Sequence, residues 1–216
     1  MKKWVIMLLA LLPLAGVASE GGGELMKAPV NLQDKVSLQH GAKLFVNYCM
    51  GCHSLKYLRY GRMGEDLGIK PELVQKNLIF DGAKIGDEMN SAMREADAKV
   101  WFGSPPPDLT YVARHRSPDW VYTYLLSFYT DESRPHGDNN KLFPNVAMPD
   151  VLYNMRHSLS QDEFEKNVGD LTNFLTYAAE PIRMERQRIG VYVLVFLLIL
   201  LIPAYLMKRE YWKDVH

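Results

Sequence analysis

Eighteen consecutive residues, Gly190 to Met207 (GVYVLVFLLILLIPAYLM), carry no charge. At about 1.5 Å per residue such a run makes roughly 27 Å of helix, close to the hydrocarbon thickness of about 30 Å. With Ile189 included, residues 189–207 are expected to form a transmembrane helix, leaving 208–216 as a short tail. Pro203 lies near the far end, where such a helix tolerates it, and Tyr205, Tyr211 and Trp212 suit an aromatic interface belt. The competing reading, a buried core helix, fits poorly with the length and the missing charges.

The other end of the chain carries a second apolar stretch. Lys2 and Lys3 precede Trp4 to Leu14, and small residues follow from Ala15 to Ser19, the three-part layout of a secretory signal peptide. Residues 1–19 are therefore expected to be removed, with cleavage near Ala18 or Ser19. Basic residues flank the C-terminal run on both sides, Arg183, Arg186 and Arg188 before it and Lys208, Arg209 and Lys213 after it, so they do not set its orientation. The export signal does. Residues 20–188 are expected outside a bacterial inner membrane, in the periplasm, and 208–216 inside.

Between Glu20 and Glu180 the exported region holds 22 acidic and 17 basic side chains, a balance of −5. A nucleic-acid partner would want a basic face, so the balance argues against that class; it permits a basic protein partner and is equally that of an ordinary solvated surface. Strand-like alternation is scarce, and the region reads as mainly α with long, proline-rich loops. One amphipathic helix carries Leu38, Gly41, Ala42, Phe45, Val46 and Cys49. A second starts at Ser117-Pro118 with Val121, Tyr124, Leu125 and Phe128 on one face. A third opens on a Ser160/Glu163 capping box and keeps a stripe of Phe164, Val168, Leu171, Leu175 and Ala178 until Pro181 stops it. The long connections, Tyr57 to Trp101 and Thr130 to Ser158, imply that the loops wrap something large and apolar.

The chain's two cysteines lie in CMGCH, residues 49–53. Cys-x-x-Cys-His is the attachment sequence of c-type haem: one helical turn brings both sulfurs to one edge of a porphyrin, and the following imidazole turns under it to bind iron. A disulfide closing so small a loop would stabilise little. A thioredoxin-like pair would want a strand before it and strands around it, and a zinc site would need a second ligand pair. Cys49 and Cys52 are thus expected to hold one covalent haem c, with His53 on the iron.

The sixth iron ligand is less constrained. His40, His115, His136 and His157 compete with eleven methionines. Met148 stands out for its loop, FPNVAMPDVLY, stiffened by Pro144 and Pro149. Most methionines are core filler, so the residues alone leave this choice open.

CMGCHSLKYLRY, WFGSPPPDLTYVARHR, NVAMPDVLYN, NFLTYAAEP and AYLMKREYWK occur in an order that resembles cytochrome c1, the haem subunit of quinol:cytochrome c oxidoreductase (the cytochrome bc1 complex). The resemblance covers nearly all of the chain beyond the signal. It implies a class I cytochrome c fold with long insertions and one C-terminal transmembrane helix. It also implies electron transfer from a Rieske iron-sulfur protein to a soluble or membrane-bound cytochrome c. Cytochrome b and the Rieske protein would be partners in a dimeric membrane complex, and the chain would be a relay with no active site of its own. Carried across, it makes Cys49 and Cys52 the thioether positions and His53 and Met148 the axial ligands. Arg114 would meet a haem propionate, and Pro106 and Pro107 would touch the haem within a PPDL turn completed by Asp108 and Leu109. By its residues alone Arg114 reads as a surface arginine.

The chain departs from the family pattern in two places. A proline pair often follows the ligand methionine, whereas Pro149-Asp150-Val151 follows Met148 here. The extra cysteine pair and the strongly acidic docking segment of some members are absent. Two rivals remain, a free-standing membrane-anchored cytochrome c carrier and a five-coordinate haem c enzyme such as a peroxidase.

Overall fold

The computed structural model describes residues 24–214; the expected signal peptide lies outside them. Asp34 caps the first helix, α1 (Lys35–Leu44), by accepting from the N–H groups of Val36 and Ser37, both at 3.1 Å. The helix runs straight into one π-helical turn, Phe45–Cys49, closed by a Met50 N–H to Phe45 carbonyl bond of 3.0 Å. This wider turn rephases the chain before CMGCH, the kind of local irregularity found at functional sites.

Strand β1 (Leu55–Arg59) leads into α2 (Tyr60–Leu67), which Gly68 ends in the left-handed conformation at φ 74°. After α3 (Pro71–Asn77), strand β2 (Glu88–Met89) returns antiparallel to β1. Three helices follow: α4 (Glu95–Phe102), α5 (Val112–His115) and α6 (Pro118–Leu126). Strands β3 (Phe128–Thr130) and β4 (Asp138–Asn140) form a second antiparallel pair, in the register Phe128↔Asn140. Helices α7 (Tyr153–Ser158), α8 (Gln161–Ala179) and α9 (Arg183–Tyr211) complete the chain.

The fold is mainly α, as expected, and α1, α6 and α8 are the three helices read from periodicity. The capping box opens α8 with both of its bonds formed. Two details differ. The Tyr57–Trp101 connection is no bare loop, since α2, α3 and most of α4 lie in it. Phe128 begins β3 rather than extending α6, because α6 ends at Leu126 where Ser127 caps it.

The core is organised by α1 crossing α8, with α5 and α6 also packed on α8. Gly41 permits the crossing: a Cβ there would lie 2.1 Å from the Asp170 carbonyl oxygen and 2.7 Å from Phe174 Cβ. Phe45 meets Phe174 beside it, ring centroids 5.8 Å apart. A buried polar group pins the same crossing. Asp170 accepts from Ser37 at 2.6 Å and from Lys166 at 3.0 Å, with His40 Nδ1 at 2.8 Å. Asn173 exchanges bonds with the Asn31 backbone at 2.9 and 3.0 Å. These pairs satisfy groups that would otherwise be desolvated without partners.

Helix α9 is long and apolar enough to cross a membrane. Its most apolar window has a mean hydropathy of 2.7, and none of that window is buried against the domain.

Candidate haem site

A cavity of about 630 Å³ lies over the π turn, within the range of cofactor-sized sites. Cys49, Cys52 and His53 line it from one segment, Pro106 and Pro107 from a second, and Met148 from a third. Apolar side chains, Leu109, Val121, Leu125 and Leu171 among them, make up most of the remaining wall.

Local hydrogen bonds explain how the first two segments meet. Cys52 and His53 N–H groups both return to the Cys49 carbonyl, at 3.0 and 2.8 Å, closing a tight turn around the motif. The Pro105-Pro106-Pro107 loop is then stitched to the residues after His53. Leu109 N–H donates to Ser54 O at 2.9 Å, Lys56 N–H to Asp108 Oδ2 at 2.8 Å, and Thr110 N–H to Asp108 Oδ1 at 2.9 Å. Pro107 is left with its carbonyl 2.7 Å from His53 Nδ1. A carbonyl only accepts, so Nδ1 carries the proton and Nε2 is the free lone pair, the tautomer an iron ligand requires. Burial lowers the His53 pKa, against opposing effects of the Pro107 bond and of Asp108, and favours this neutral ring.

The two cysteines are free thiols, Cys49 buried and Cys52 partly exposed. Burial, with Cys52 nearby, pushes Cys49 up to about 12, and burial raises Cys52 too. These residues fit haem c. Two unbridged thiols one turn apart and a tautomer-locked imidazole share a large apolar cavity.

The structure also narrows the sixth-ligand candidates. His40 pairs with Asp170, His157 lies 2.8 Å from the Tyr153 carbonyl, and His136 packs on Phe102 at 5.5 Å; none of the three lines the cavity. His115 and Met148 both do. Met148 alone of the two is engaged by a neighbour across the cavity wall, since Tyr124 Oη donates to its Sδ at 3.5 Å.

Arg114 falls elsewhere. It is exposed and lines a separate depression with Tyr57, Tyr111, Glu180 and Arg186, while Arg116 lines the main cavity with its guanidinium 5.3 Å from the Trp120 ring centre. Sequence reasoning missed Trp120, Tyr124 and Phe143 as wall residues. Trp120 stacks on Tyr124 at 4.9 Å and meets Phe143 edge-on at 6.5 Å. For Trp120 and Tyr124 the available signal was the density of aromatics in DWVYTYLL; Phe143 lies in the Met148 loop and had none.

A helical domain with a large apolar cavity beside a Cys-x-x-Cys-His turn, followed by an exposed apolar helix, places the molecule among the c-type cytochromes. Within that class the chain belongs to the Cytochrome C1 family, whose model matches residues 26–215. It is 51% identical to cytochrome c1 of Allochromatium vinosum over 96% of both chains. It is 39% identical to the ammonia monooxygenase gamma subunit of Nitrosomonas europaea, over 100% of this chain and 99% of that one. Cytochrome c1 of Rhodospirillum rubrum is 25% identical over 93% of this chain and 92% of its own. The fold is the class I cytochrome c type with one long apolar C-terminal helix, and the chain carries one covalent haem c. It is a haem c electron-transfer subunit and fits a single-pass inner-membrane protein.

Proposed function

We propose that this chain relays single electrons from a Rieske iron-sulfur protein to a soluble or membrane-bound cytochrome c, beside cytochrome b in a dimeric complex. The observation that carries the reading is the convergence of Cys49, Cys52, His53 and Met148 on one apolar cavity. Haem c supplies a one-electron iron couple, raised in potential by histidine and methionine ligation. In this reading Cys49 and Cys52 hold the macrocycle covalently, and Pro107 keeps His53 in the tautomer that presents Nε2 to iron. Met148 would supply the second protein ligand to iron and so leave no open position for substrate, which argues against a five-coordinate peroxidase. The apolar wall excludes water, so little solvent reorganises when charge changes.

Residues 20–188 form the periplasmic domain, 189–207 the membrane span and 208–216 a cytoplasmic tail, with Arg183, Arg186 and Arg188 outside. The export signal supports that orientation. Arg114 or Arg116, two residues apart at the end of α5, meets a haem propionate.

Extraction of native membranes in mild detergent tests the assignment. The haem-bearing chain is expected to migrate with cytochrome b and a Rieske protein, and migration alone would establish a free-standing carrier instead. Co-migration with an ammonia monooxygenase would favour the association that the name of the Nitrosomonas relative implies.

A further inference from the structure

Asp150 follows Met148-Pro149, and its side chain is only 5% exposed. A buried carboxylate needs a partner. Arg156 on α7 supplies it, with Nε 3.1 Å from Asp150 Oδ2. The same guanidinium reaches the open end of α6: Nη1 donates to the Leu126 carbonyl at 3.1 Å and Nη2 to that of Leu125 at 3.0 Å. Its plane lies over Phe164, 4.6 Å from the ring centre. One rigid fork therefore joins the segment after Met148 to the end of the helix that carries Tyr124, the residue donating to Met148 Sδ. The backbone of Asp150 is held as well, donating to Asp138 Oδ2 at 3.0 Å, and Asp150 Oδ1 accepts from Leu152 N–H at 3.1 Å.

We propose that Arg156, acting through Asp150, is a positioning residue for the Met148 thioether, holding its loop against the end of α6 through a buried ion pair. This rests on the reading of Met148 as the sixth ligand. Without the fork the Met148 segment is free to move away from α6, and the population with sulfur on iron falls. An added ligand then competes more easily, because its apparent affinity scales with the fraction of protein in the open form.

Imidazole titration of the ferric holoprotein in detergent tests this, with the methionine-to-iron charge-transfer band, the midpoint potential and thermal melting followed alongside. Arg156→Gln and Asp150→Asn are expected to raise imidazole affinity at least about tenfold and to weaken the band. Arg156→Lys keeps the charge but not the fork, and should fall between these and wild type. A purely structural role would lower the melting temperature and leave imidazole affinity and the band unchanged, which would overturn the proposal. Should Arg156→Gln fail to mature, Arg156→Lys decides alone: wild-type affinity in it would equally overturn the idea. Met148→Leu separates the underlying reading. A band that persists in Met148→Leu removes Met148 as ligand, whereas a band lost there but untouched in the Arg156 and Asp150 variants removes only the positioning role.

Discussion

Tyr124 Oη donates a hydrogen bond of 3.5 Å to Met148 Sδ. The phenol is largely buried, and burial raises its pKa well above the usual tyrosine value, so it remains a donor at any working pH. With sulfur on iron, that bond draws electron density from the thioether and disfavours the ferric state. A neutral hydrogen bond is worth about 1 kcal/mol, which for a one-electron couple corresponds to about 40 mV. Tyr124→Phe is expected to lower the midpoint potential by about this amount in a spectroelectrochemical titration. An unchanged potential would show that the bond does not act on the iron.

The two arginines of VARHR separate by the same measurement. Arg116 lines the main cavity and Arg114 the neighbouring depression. Loss of a cation beside a propionate favours the ferric state, so the propionate partner's Gln variant lowers the potential by tens of millivolts, while the other variant leaves it nearly unchanged. We expect Arg116→Gln to give the larger shift; the reverse order would assign the propionate to Arg114.

Gly41 should tolerate no side chain. A methyl group there would meet the Asp170 carbonyl oxygen at 2.1 Å, which is backbone and cannot rotate away. Gly41→Ala is expected to force α1 and α8 apart and destabilise the domain by about 1–3 kcal/mol or more, despite alanine's better helix propensity. Calorimetry of the holoprotein checks this, and an unchanged melting temperature would mean that the crossing is looser than described.

Acid should weaken the same crossing. Burial by itself raises the Asp170 pKa, but bonds from Ser37, His40 and Lys166 outweigh it and hold the carboxyl below its usual value. A depressed folded pKa contributes stability above the unfolded value of about 3.9 and loses it as pH falls through the folded value. Wild-type melting temperature should therefore drop below about pH 4. Asp170→Asn lacks this contribution at neutral pH, and its deficit should shrink on acidification. Asp131, Glu163 and Glu180 are shifted in the same direction on the surface, so the difference between the two proteins isolates Asp170.

Local chemistry made much of this protein legible before folding. The Ser160/Glu163 box, the Ser117-Pro118 start, the apolar run from Gly190 and the Cys49-to-His53 motif are signals completed within a few residues, where one turn of backbone decides the outcome. Helices α2 and α3 were hidden because each spans only two turns, too few for a periodic stripe to stand out. No spacing rule distinguished Arg114 from Arg116, since two residues two apart on one short turn point to opposite sides, and which side meets the cavity is settled only once that turn is packed.

By itself the sequence determined that the chain carries an apolar run long enough to cross a membrane, that its two cysteines stand in a haem-attachment motif, and that His53 follows them. Only the tertiary structure decided which carbonyl locks the His53 tautomer, that Tyr124 reaches Met148, and that Arg156 ties Asp150 to the end of α6. Each of these joins residues from separate segments. Such contacts depend on how α6, α7 and the proline loop pack around the cavity, and the sequence encodes that packing through the whole core rather than in any stretch that can be read alone.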